Sequence, residues 1–382
     1  MDPQKHNPKT KSSPSEDAIE LTPEKMDKKK ANKEASETAH SEFEQLKDNK
    51  DVEGLINFLK NTEYQYLAKY AISALYDIGD EKAIPALIDE ALKGNHGIAA
   101  RENAVRALGD IGKHNVVESL IYLMGKGSLV RRVAAQALGK IKDDKVVEPL
   151  NMVVCDENED HEFREDAVEA LGEIATTKAI TRIISYLGSD ISEKTLSVLK
   201  KVGKPATAPL LKILETTSNE DDWNCSLRQP VLIALALIKD ADAVEPLIKA
   251  INYNTLAGDS DYTFQNWIIF ALGDIGDKRA TKPLIQLMRQ NGDNLIRGTT
   301  AEALGKIGDK QAIEPLLRIL ENERENSGFR DNAAWALLQL DDEKTAIPLL
   351  RYLKGNHSSI FSSLKNVSFP SEFQNTEGTV DS

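Results

Sequence analysis

The sequence predicts an all-α protein, an α-solenoid of about nine helix-turn-helix repeats. First, a leucine that usually follows alanine recurs at intervals from 28 residues (Leu171 to Leu199) to 37 residues (Leu235 to Leu272). Second, glycine stops and prolines recur in step with these leucines, so turn chemistry repeats along with apolar spacing. Third, no stretch shows the alternation of a strand. The anchor leucines are Leu75, Leu108, Leu138, Leu171, Leu199, Leu235, Leu272, Leu304 and Leu337.

The repeat unit is clearest at residues 271–284. Leu272 and Ile275 stand at helical spacing and mark the buried end of one helix. Gly276 is predicted to end that helix, because a residue without a β-carbon enters the left-handed conformation at little cost. Asp277 is predicted to cap the second helix of the pair. Glycine recurs four residues after the anchor leucine at Gly79, Gly112, Gly203, Gly276 and Gly308. Proline recurs in the second helix at Pro85, Pro149, Pro209, Pro246, Pro283, Pro315 and Pro348.

Composition divides the chain into three segments. Residues 1–45 are rich in Lys, Glu, Ser, Thr and Pro. Such a segment cannot bury enough apolar surface to offset its chain entropy, so a disordered charged tail is predicted. Residues 46–355 carry the repeats, each of which buries its apolar face only on its neighbours. Residues 356–382 lack the repeat pattern and are predicted to form a partial cap followed by a disordered C-terminal tail.

Composition also limits the partners and the compartment. The net charge of −13 argues against a surface that follows nucleic-acid phosphates. No apolar run approaches the ~18 residues of a membrane-spanning helix, and the N-terminus shows no charged-then-apolar leader. Two cysteines without metal-ligand spacing or a disulfide framework are typical of a reducing compartment. We therefore expect a cytoplasmic protein that binds no nucleic acid and inserts into no membrane.

The motif Ala-Leu-Gly-x-Ile-Gly-Asp at residues 271–277, followed by Ala-x-x-Pro-Leu at 280–284, resembles the short HEAT-like repeat first associated with phycobilisome lyases. The resemblance covers roughly residues 51–352. It implies a right-handed α-solenoid. For function it implies only a broad class, since this repeat serves chromophore lyases, a metal hydroxylase and many scaffolds.

The metal hydroxylase of this class uses paired His-Glu dipeptides, six and five residues before the anchor leucine. This sequence has one His-Glu dipeptide, His161-Glu162, which stands ten and nine residues before Leu171. A single pair out of register cannot hold two irons. No clustered nucleophile and base and no phosphate-binding loop is visible either. The sequence therefore predicts neither a catalytic residue nor a metal or other cofactor.

Positions six before, two before and two after each anchor leucine form one stripe along the helix. This stripe is polar in most repeats and is expected to face solvent on the concave side of the array. One repeat places three carboxylates there, which suit a hard cation or form a solvated run of charge, namely Glu165, Glu169 and Glu173.

Four apolar residues interrupt this polar stripe in the C-terminal half of the chain. They predict a partner-binding patch, because exposed apolar clusters mark contact surfaces. Alternatively, local twist of the array turns these side chains into the core between repeats. The residues are Ile233, Leu237, Phe270 and Trp335, of which Phe270 and Trp335 are the expected anchors.

The longer joints between repeats are acidic, and two of them carry aromatic residues. Insertions in repeat arrays usually map to one edge, often near the binding face. We expect these aromatics either to contact the partner or to pack onto the rim of the array. They include Trp223, Tyr262 and Phe264.

Arginine recurs seven residues before the anchor leucine in six repeats. This pattern suits a ligand-binding ladder or, as the favoured interpretation, a structural one. In the structural ladder, guanidinium groups bridge carboxylates or carbonyls of adjacent repeats. The ladder residues are Arg101, Arg131, Arg164, Arg228, Arg297 and Arg330.

Together these features predict a non-catalytic scaffold that binds another protein on its concave face and acidic rim loops. The acidic loops would select a basic or amphipathic partner. The alternative is an enzyme or enzyme subunit of the same repeat class, either bilin lyase-like or an atypical metal-dependent oxidoreductase.

Overall fold

The computed structural model describes residues 23–61, 67–94, 96–112, 114–125, 129–216, 222–256, 262–290 and 292–355. The chain divides into two compact units, Met1–Gly112 and Lys113–Ser382, and each is described by itself. Within the described ranges every regular element is an α-helix or a 3₁₀ turn, joined by short turns and loops. None of the described helices combines the length and the apolar character needed to cross a lipid bilayer.

Each unit consists of helices that stack on one another in chain order. The first unit contains α1 (Pro23–Asp48), α2 (Val52–Lys60), α3 (Ala68–Ile78), α4 (Ile84–Lys93) and α5 (Ile98–Ile111). The second contains α6 (Val117–Met124), α7 (Arg131–Ile141), α8 (Val147–Cys155), α9 (His161–Ile174), α10 (Thr177–Ser185), α11 (Ser192–Val202), α12 (Thr207–Thr216), α13 (Asp222–Ile238), α14 (Val244–Leu256), α15 (Tyr262–Ile275), α16 (Thr281–Gln290), α17 (Asn294–Ile307), α18 (Ile313–Glu321), α19 (Ser327–Leu340) and α20 (Glu343–Gly355).

The odd-numbered helices from α3 onward carry the anchor leucines, and we call them the anchor helices. In the second unit each anchor helix packs on the next, from α7 through α19. Each even-numbered helix from α6 to α18 packs on the anchor helix that follows it. In the first unit α3 packs on α5, and α4 packs on α5. All nine anchor leucines are at most 1% exposed. The predicted all-α solenoid is therefore confirmed.

The anchor helices approach one another closely where glycine follows the anchor leucine. A Cβ placed on Gly139 would lie 2.8 Å from the Cα of Ala170 in the next anchor helix. A Cβ on Gly305 would lie 2.8 Å from the Cα of Ala336. Real Cβ atoms do not occupy such positions, so these glycines set the spacing of the layer. This explains why the repeat reads Ala-Leu-Gly.

The turn after each anchor helix is more uniform than its sequence. Gly276 takes the predicted left-handed conformation, with φ 77°. The same position is also left-handed where glycine is absent, for example at Lys142 and Ala175, with φ of 56° and 52°. Gly112 instead is extended, with φ −72° and ψ 144°. Packing of the next helix therefore determines this turn, and glycine only lowers its cost.

Asp277 acts one step earlier than predicted. Its Oδ1 accepts a hydrogen bond of 2.8 Å from the backbone N–H of Arg279. This bond caps a single 3₁₀ turn, Lys278–Ala280, which runs directly into α16. The aspartate therefore caps the short turn, and the α-helix begins behind it. Four other aspartates that precede a 3₁₀ turn accept the same hydrogen bond from the backbone N–H two residues later, namely Asp80, Asp143, Asp240 and Asp309.

Helix α1 differs from the disordered tail predicted for residues 1–45. It spans Pro23–Asp48, and the buried residues Ala39 and Phe43 lie in it. The Phe43 ring centroid lies 5.9 Å from that of Phe58 and 6.4 Å from that of Tyr70. Residues 1–22 and the predicted partial cap and tail at 356–382 lie outside the described residues. The boundaries of one array over 46–355 stay a prediction.

Candidate functional site

The polar stripe of the anchor helices faces solvent. In α7 the stripe residues Arg132, Gln136 and Lys140 are all exposed. Arg132 is paired with carboxylates of α9: its Nε lies 2.5 Å from Asp166 Oδ2, and its Nη1 lies 2.5 Å from Glu162 Oε2. The stripe is therefore a surface of interhelical ion pairs.

The row of three carboxylates on α9 is part of the same pairing. Glu169 accepts hydrogen bonds of 2.7 Å from Lys194 Nζ and 2.6 Å from Lys201 Nζ, both on α11. These bonds lower the pKa of Glu169 to about 2. Glu165 Oε1 lies 3.6 Å from His161 Nδ1, and Glu162 pairs with Arg132, so both residues of the lone His-Glu dipeptide contact side chains of this surface. In the described ranges no group of three His, Cys, Asp or Glu side chains is arranged to hold a metal ion.

The four apolar stripe residues lie on the second unit, on α13, α15 and α19. Ile233, Leu237 and Phe270 are half-buried, whereas Trp335 is 40% exposed. Helices α13, α15, α17 and α19 are consecutive neighbours in the anchor layer. The apolar residues therefore stand on one face of that layer, with Trp335 the most accessible of them.

Phe270 is held in place by residues of two helices. The ring of Trp267 meets it edge-on, with centroids 5.6 Å apart. Lys306 Nζ on α17 lies 4.5 Å from the Phe270 centroid and 2.6 Å from Asp274 Oδ1. Trp267 stands one position off the stripe and was missed by the sequence reasoning. Its signal was an aromatic three residues before another on one helix.

The three rim aromatics have different surroundings. Tyr262 is 46% exposed at the start of α15. Phe264 is half-buried, and the guanidinium of Arg228 lies 4.9 Å from its ring centroid, so its ring belongs to the arginine ladder. The side chain of Trp223, and residues 217–221 and 257–261 of the two joints, lie outside the described residues.

Four ladder arginines form the same backbone contact. Each donates a hydrogen bond from Nε to a carbonyl at the end of the preceding helix, nine or ten residues earlier. The bonds are Arg101 to Ala91 at 3.0 Å, Arg164 to Val154 at 2.8 Å, Arg297 to Met288 at 3.3 Å and Arg330 to Leu320 at 3.0 Å. The arginine thus ties the start of an anchor helix to the helix before it.

The terminal nitrogens of the ladder arginines reach forward to the next repeat. Arg164 donates from Nη1 to Asp190 Oδ2 at 2.6 Å and from Nη2 to Asp190 Oδ1 at 3.1 Å. Arg297 binds Glu325 in the same way, at 3.0 and 2.7 Å, and Arg131 pairs with Glu159. Four ladder guanidinium groups also lie over an aromatic ring further along the chain. The distances from guanidinium carbon to ring centroid are 4.0 Å for Arg131 and Phe163, 4.9 Å for Arg228 and Phe264, 4.1 Å for Arg297 and Phe329, and 4.8 Å for Arg330 and Tyr352.

Comparison with known proteins shows the family of this chain. The family model of HEAT repeats matches residues 52–129, 127–197 and 252–327, together more than half of the chain. No curated protein matches the sequence.

Three solved structures are similar to parts of this chain. Human deoxyhypusine hydroxylase in complex with glycerol is 19% identical, covering 70% of this chain and 98% of its own, with a TM-score of 0.30. The complex of CpcE and CpcF of phycocyanin lyase from Nostoc sp. PCC7120 is 21% identical, covering 71% and 94%, with a TM-score of 0.26. Importin beta is 17% identical, covering 78% of this chain and 47% of its own, with a TM-score of 0.40.

Proposed function

The chain belongs to the HEAT-repeat family, and from that premise we propose that it is a non-catalytic scaffold that binds another protein. The binding surface is the exposed face of the anchor layer from α13 to α19. Trp335 and Phe270 are its anchors, with Ile233 and Leu237 beside them and Tyr262 at its edge. The prediction of a cytoplasmic protein without a nucleic-acid partner belongs to the same proposal and rests on the net charge of −13 and the two cysteines.

The observation that carries the proposal is the exposure of Trp335. Trp335 stands two residues before its anchor leucine, where most other repeats have a polar residue, and it leaves 40% of its surface exposed. Exposed aromatic side chains of this size supply much of the binding energy at protein interfaces. Its anchor helix is held by the buried leucine Leu337 two residues later, so the indole is presented from a rigid backbone.

The surroundings of the two anchors favour an amphipathic partner. Phe270 keeps part of its surface accessible while Lys306 lies against its ring. Lys306 is already paired with Asp274, whereas Glu302, on the helix between Phe270 and Trp335, is exposed. An apolar face that covers the two rings, with a cation beside Glu302, would match this surface.

The test compares Trp335→Ala with Tyr122→Ala in affinity capture followed by quantitative mass spectrometry. Tyr122 is a matched control, because it is an aromatic of the same unit that is 76% exposed and lies on α6, away from the patch. Both variants should keep wild-type circular dichroism, since both side chains are exposed.

The proposal predicts that partners captured by the wild type are lost with Trp335→Ala and kept with Tyr122→Ala. Equal capture by all three proteins would show that the α13–α19 face is not the binding surface. Loss of folding in Trp335→Ala would show instead that this tryptophan belongs to the core between repeats.

A further inference from the structure

From Arg131 onward each ladder arginine points its guanidinium toward the following repeat, and we call the space where that repeat contacts the guanidinium the slot. The internal repeats show which side chains fill this slot. At Arg131 and at Arg297 the guanidinium lies over a phenylalanine ring of the next anchor helix. In both cases it also pairs with a glutamate four residues before that phenylalanine. The two glutamate–phenylalanine pairs are Glu159 with Phe163 and Glu325 with Phe329. The internal ligand of this slot is therefore a carboxylate that arrives with the start of the following repeat.

Arg330, in the last anchor helix α19, has the same support but lacks the acid. Its Nε donates to the carbonyl of Leu320 at 3.0 Å, and its guanidinium lies 4.8 Å from the ring centroid of Tyr352. In the part of the chain that the structure describes, Arg330 forms no ion pair. The last slot is thus built from the same parts as the internal ones, with its carboxylate position unfilled by the described residues.

An open cavity of about 640 Å³ lies at this slot. It is lined by Arg330 and Tyr352 and by a second arginine, Arg351 of α20. Arg351 is exposed and has no hydrogen bond, ion pair or ring contact within the described ranges. Glu321 and Glu323 also line the cavity, and neither forms an ion pair with the two arginines there. Two guanidinium groups, each with donors that no described residue uses, therefore line one open cavity.

We propose that this cavity binds a glutamate or aspartate side chain from an acidic peptide segment of a partner protein. The bound carboxylate completes the last slot as Glu159 and Glu325 complete the internal slots. Its two oxygens match the paired N–H groups of a guanidinium. A carboxylate fits better than a phosphate, because Glu321 and Glu323 repel a dianion more strongly than a monoanion. This site is separate from the patch around Trp335, so either proposal can fail alone.

The probe is a synthetic peptide that copies residues 322–333 of this chain and carries an uncharged fluorophore. It contains Glu325 in the sequence that fills the slot of Arg297. Its matched control is the same peptide with Glu325→Gln, which keeps the shape and removes one charge. Binding to the full chain is followed by fluorescence anisotropy at low ionic strength, where ion pairs are least screened.

The wild-type chain should bind the probe saturably. The Glu325→Gln peptide should bind about tenfold more weakly or worse, and so should the Arg351→Gln chain, because each loses a charge-assisted hydrogen bond. Arg351 is exposed and forms no hydrogen bond, ion pair or ring contact with the described residues, so this variant should retain wild-type circular dichroism. Arg318→Gln, an exposed arginine of α18 that does not line the cavity, should bind like the wild type.

Three results would overturn the proposal. The first is no saturable binding of the probe, and the second is equal binding by the wild type and Arg351→Gln. The third is displacement of the probe by inorganic phosphate at constant ionic strength, which would mark a phosphate site. A full-length variant with Glu372→Gln, Glu377→Gln and Asp381→Asn should bind like the wild type. If this variant bound the probe and the wild type did not, the acidic C-terminal segment of the chain would itself occupy the cavity in the wild type. The partner proposal would then be wrong.

Discussion

Replacing Arg164 with alanine tests whether the arginine ladder stabilises the stack. Arg164 is only 8% exposed. Its Nε donates a buried hydrogen bond of 2.8 Å to the backbone carbonyl of Val154, and its terminal nitrogens donate to both carboxylate oxygens of Asp190. A hydrogen bond from a charged group is worth about 1.5–3 kcal/mol. The Asp190 carboxylate is 53% exposed, so its ion pair adds less than about 1 kcal/mol. Arg164→Ala should therefore lower the free energy of unfolding by about 2–4 kcal/mol.

The matched control is Arg182→Ala. Arg182 also pairs with a carboxylate of the neighbouring repeat, Glu148, through bonds of 3.0 and 3.2 Å, but its side chain is 44% exposed. It has no buried carbonyl to satisfy among the described contacts, and no measurable change in stability is expected. A third variant, Asp190→Asn, isolates the exposed half of the Arg164 interaction and should cost less than about 1 kcal/mol.

Urea unfolding followed by circular dichroism gives the global values. Hydrogen exchange of α8, α9 and α11 gives the local ones, which are needed because repeat arrays can unfold in parts. If Arg164→Ala were as stable as Arg182→Ala, the buried arginines would not hold the repeats together. A ligand-binding ladder would then become the better explanation of their recurrence.

Three further variants test other contacts of the fold. In urea unfolding, Gly305→Ala should lower the free energy of unfolding by about 1–3 kcal/mol, because the added Cβ would overpack the next anchor helix. The control Glu302→Ala, at an exposed position of the same helix, should change it by less than about 0.5 kcal/mol. The lowered pKa of Glu169 contributes stability above about pH 4.5 that is lost as the pH falls toward 2. After allowance for solvent screening, Glu169→Gln should lower the free energy of unfolding by about 1–2 kcal/mol at pH 7 and by little near pH 2. A stability difference between wild type and variant that stays constant from pH 7 to pH 2 would contradict the assigned ion pairs. Phe43→Ala should lower the free energy of unfolding by about 3–5 kcal/mol and speed up hydrogen exchange in α1 and α2. If exchange were no faster than in the control Glu42→Ala, α1 would not be packed through this ring.

The repeat core could be predicted because every unit meets nearly the same neighbours. A leucine recurring about every 33 residues has one place to go in a stacked array, and all nine anchors are buried. The turn after the anchor helix was only half predictable. Lys142 and Ala175 show that its left-handed conformation persists without glycine, because tertiary packing overrides local preference at these positions.

Pairings between repeats could not be predicted, because they depend on which side chains meet across the stack. The sequence places Phe264 in a joint between repeats, but it does not show that the ring contacts the guanidinium of Arg228, 36 positions earlier in the chain. Phe43 stands in a segment whose average composition resembles that of a disordered tail, and a single buried aromatic is invisible in such an average. Trp267 lies beside Phe270 through a helical spacing that the stripe analysis did not include.

The most direct test of the proposed binding surface is photo-cross-linking in living cells. Benzoylphenylalanine is placed at position 335 in place of Trp335, and at position 122 in place of Tyr122 as the control. A discrete cross-linked partner is expected from position 335, and none of the same mass from position 122. Adducts that are absent at 335, or identical at the two positions, would contradict a scaffold that binds its partner through the α13–α19 face.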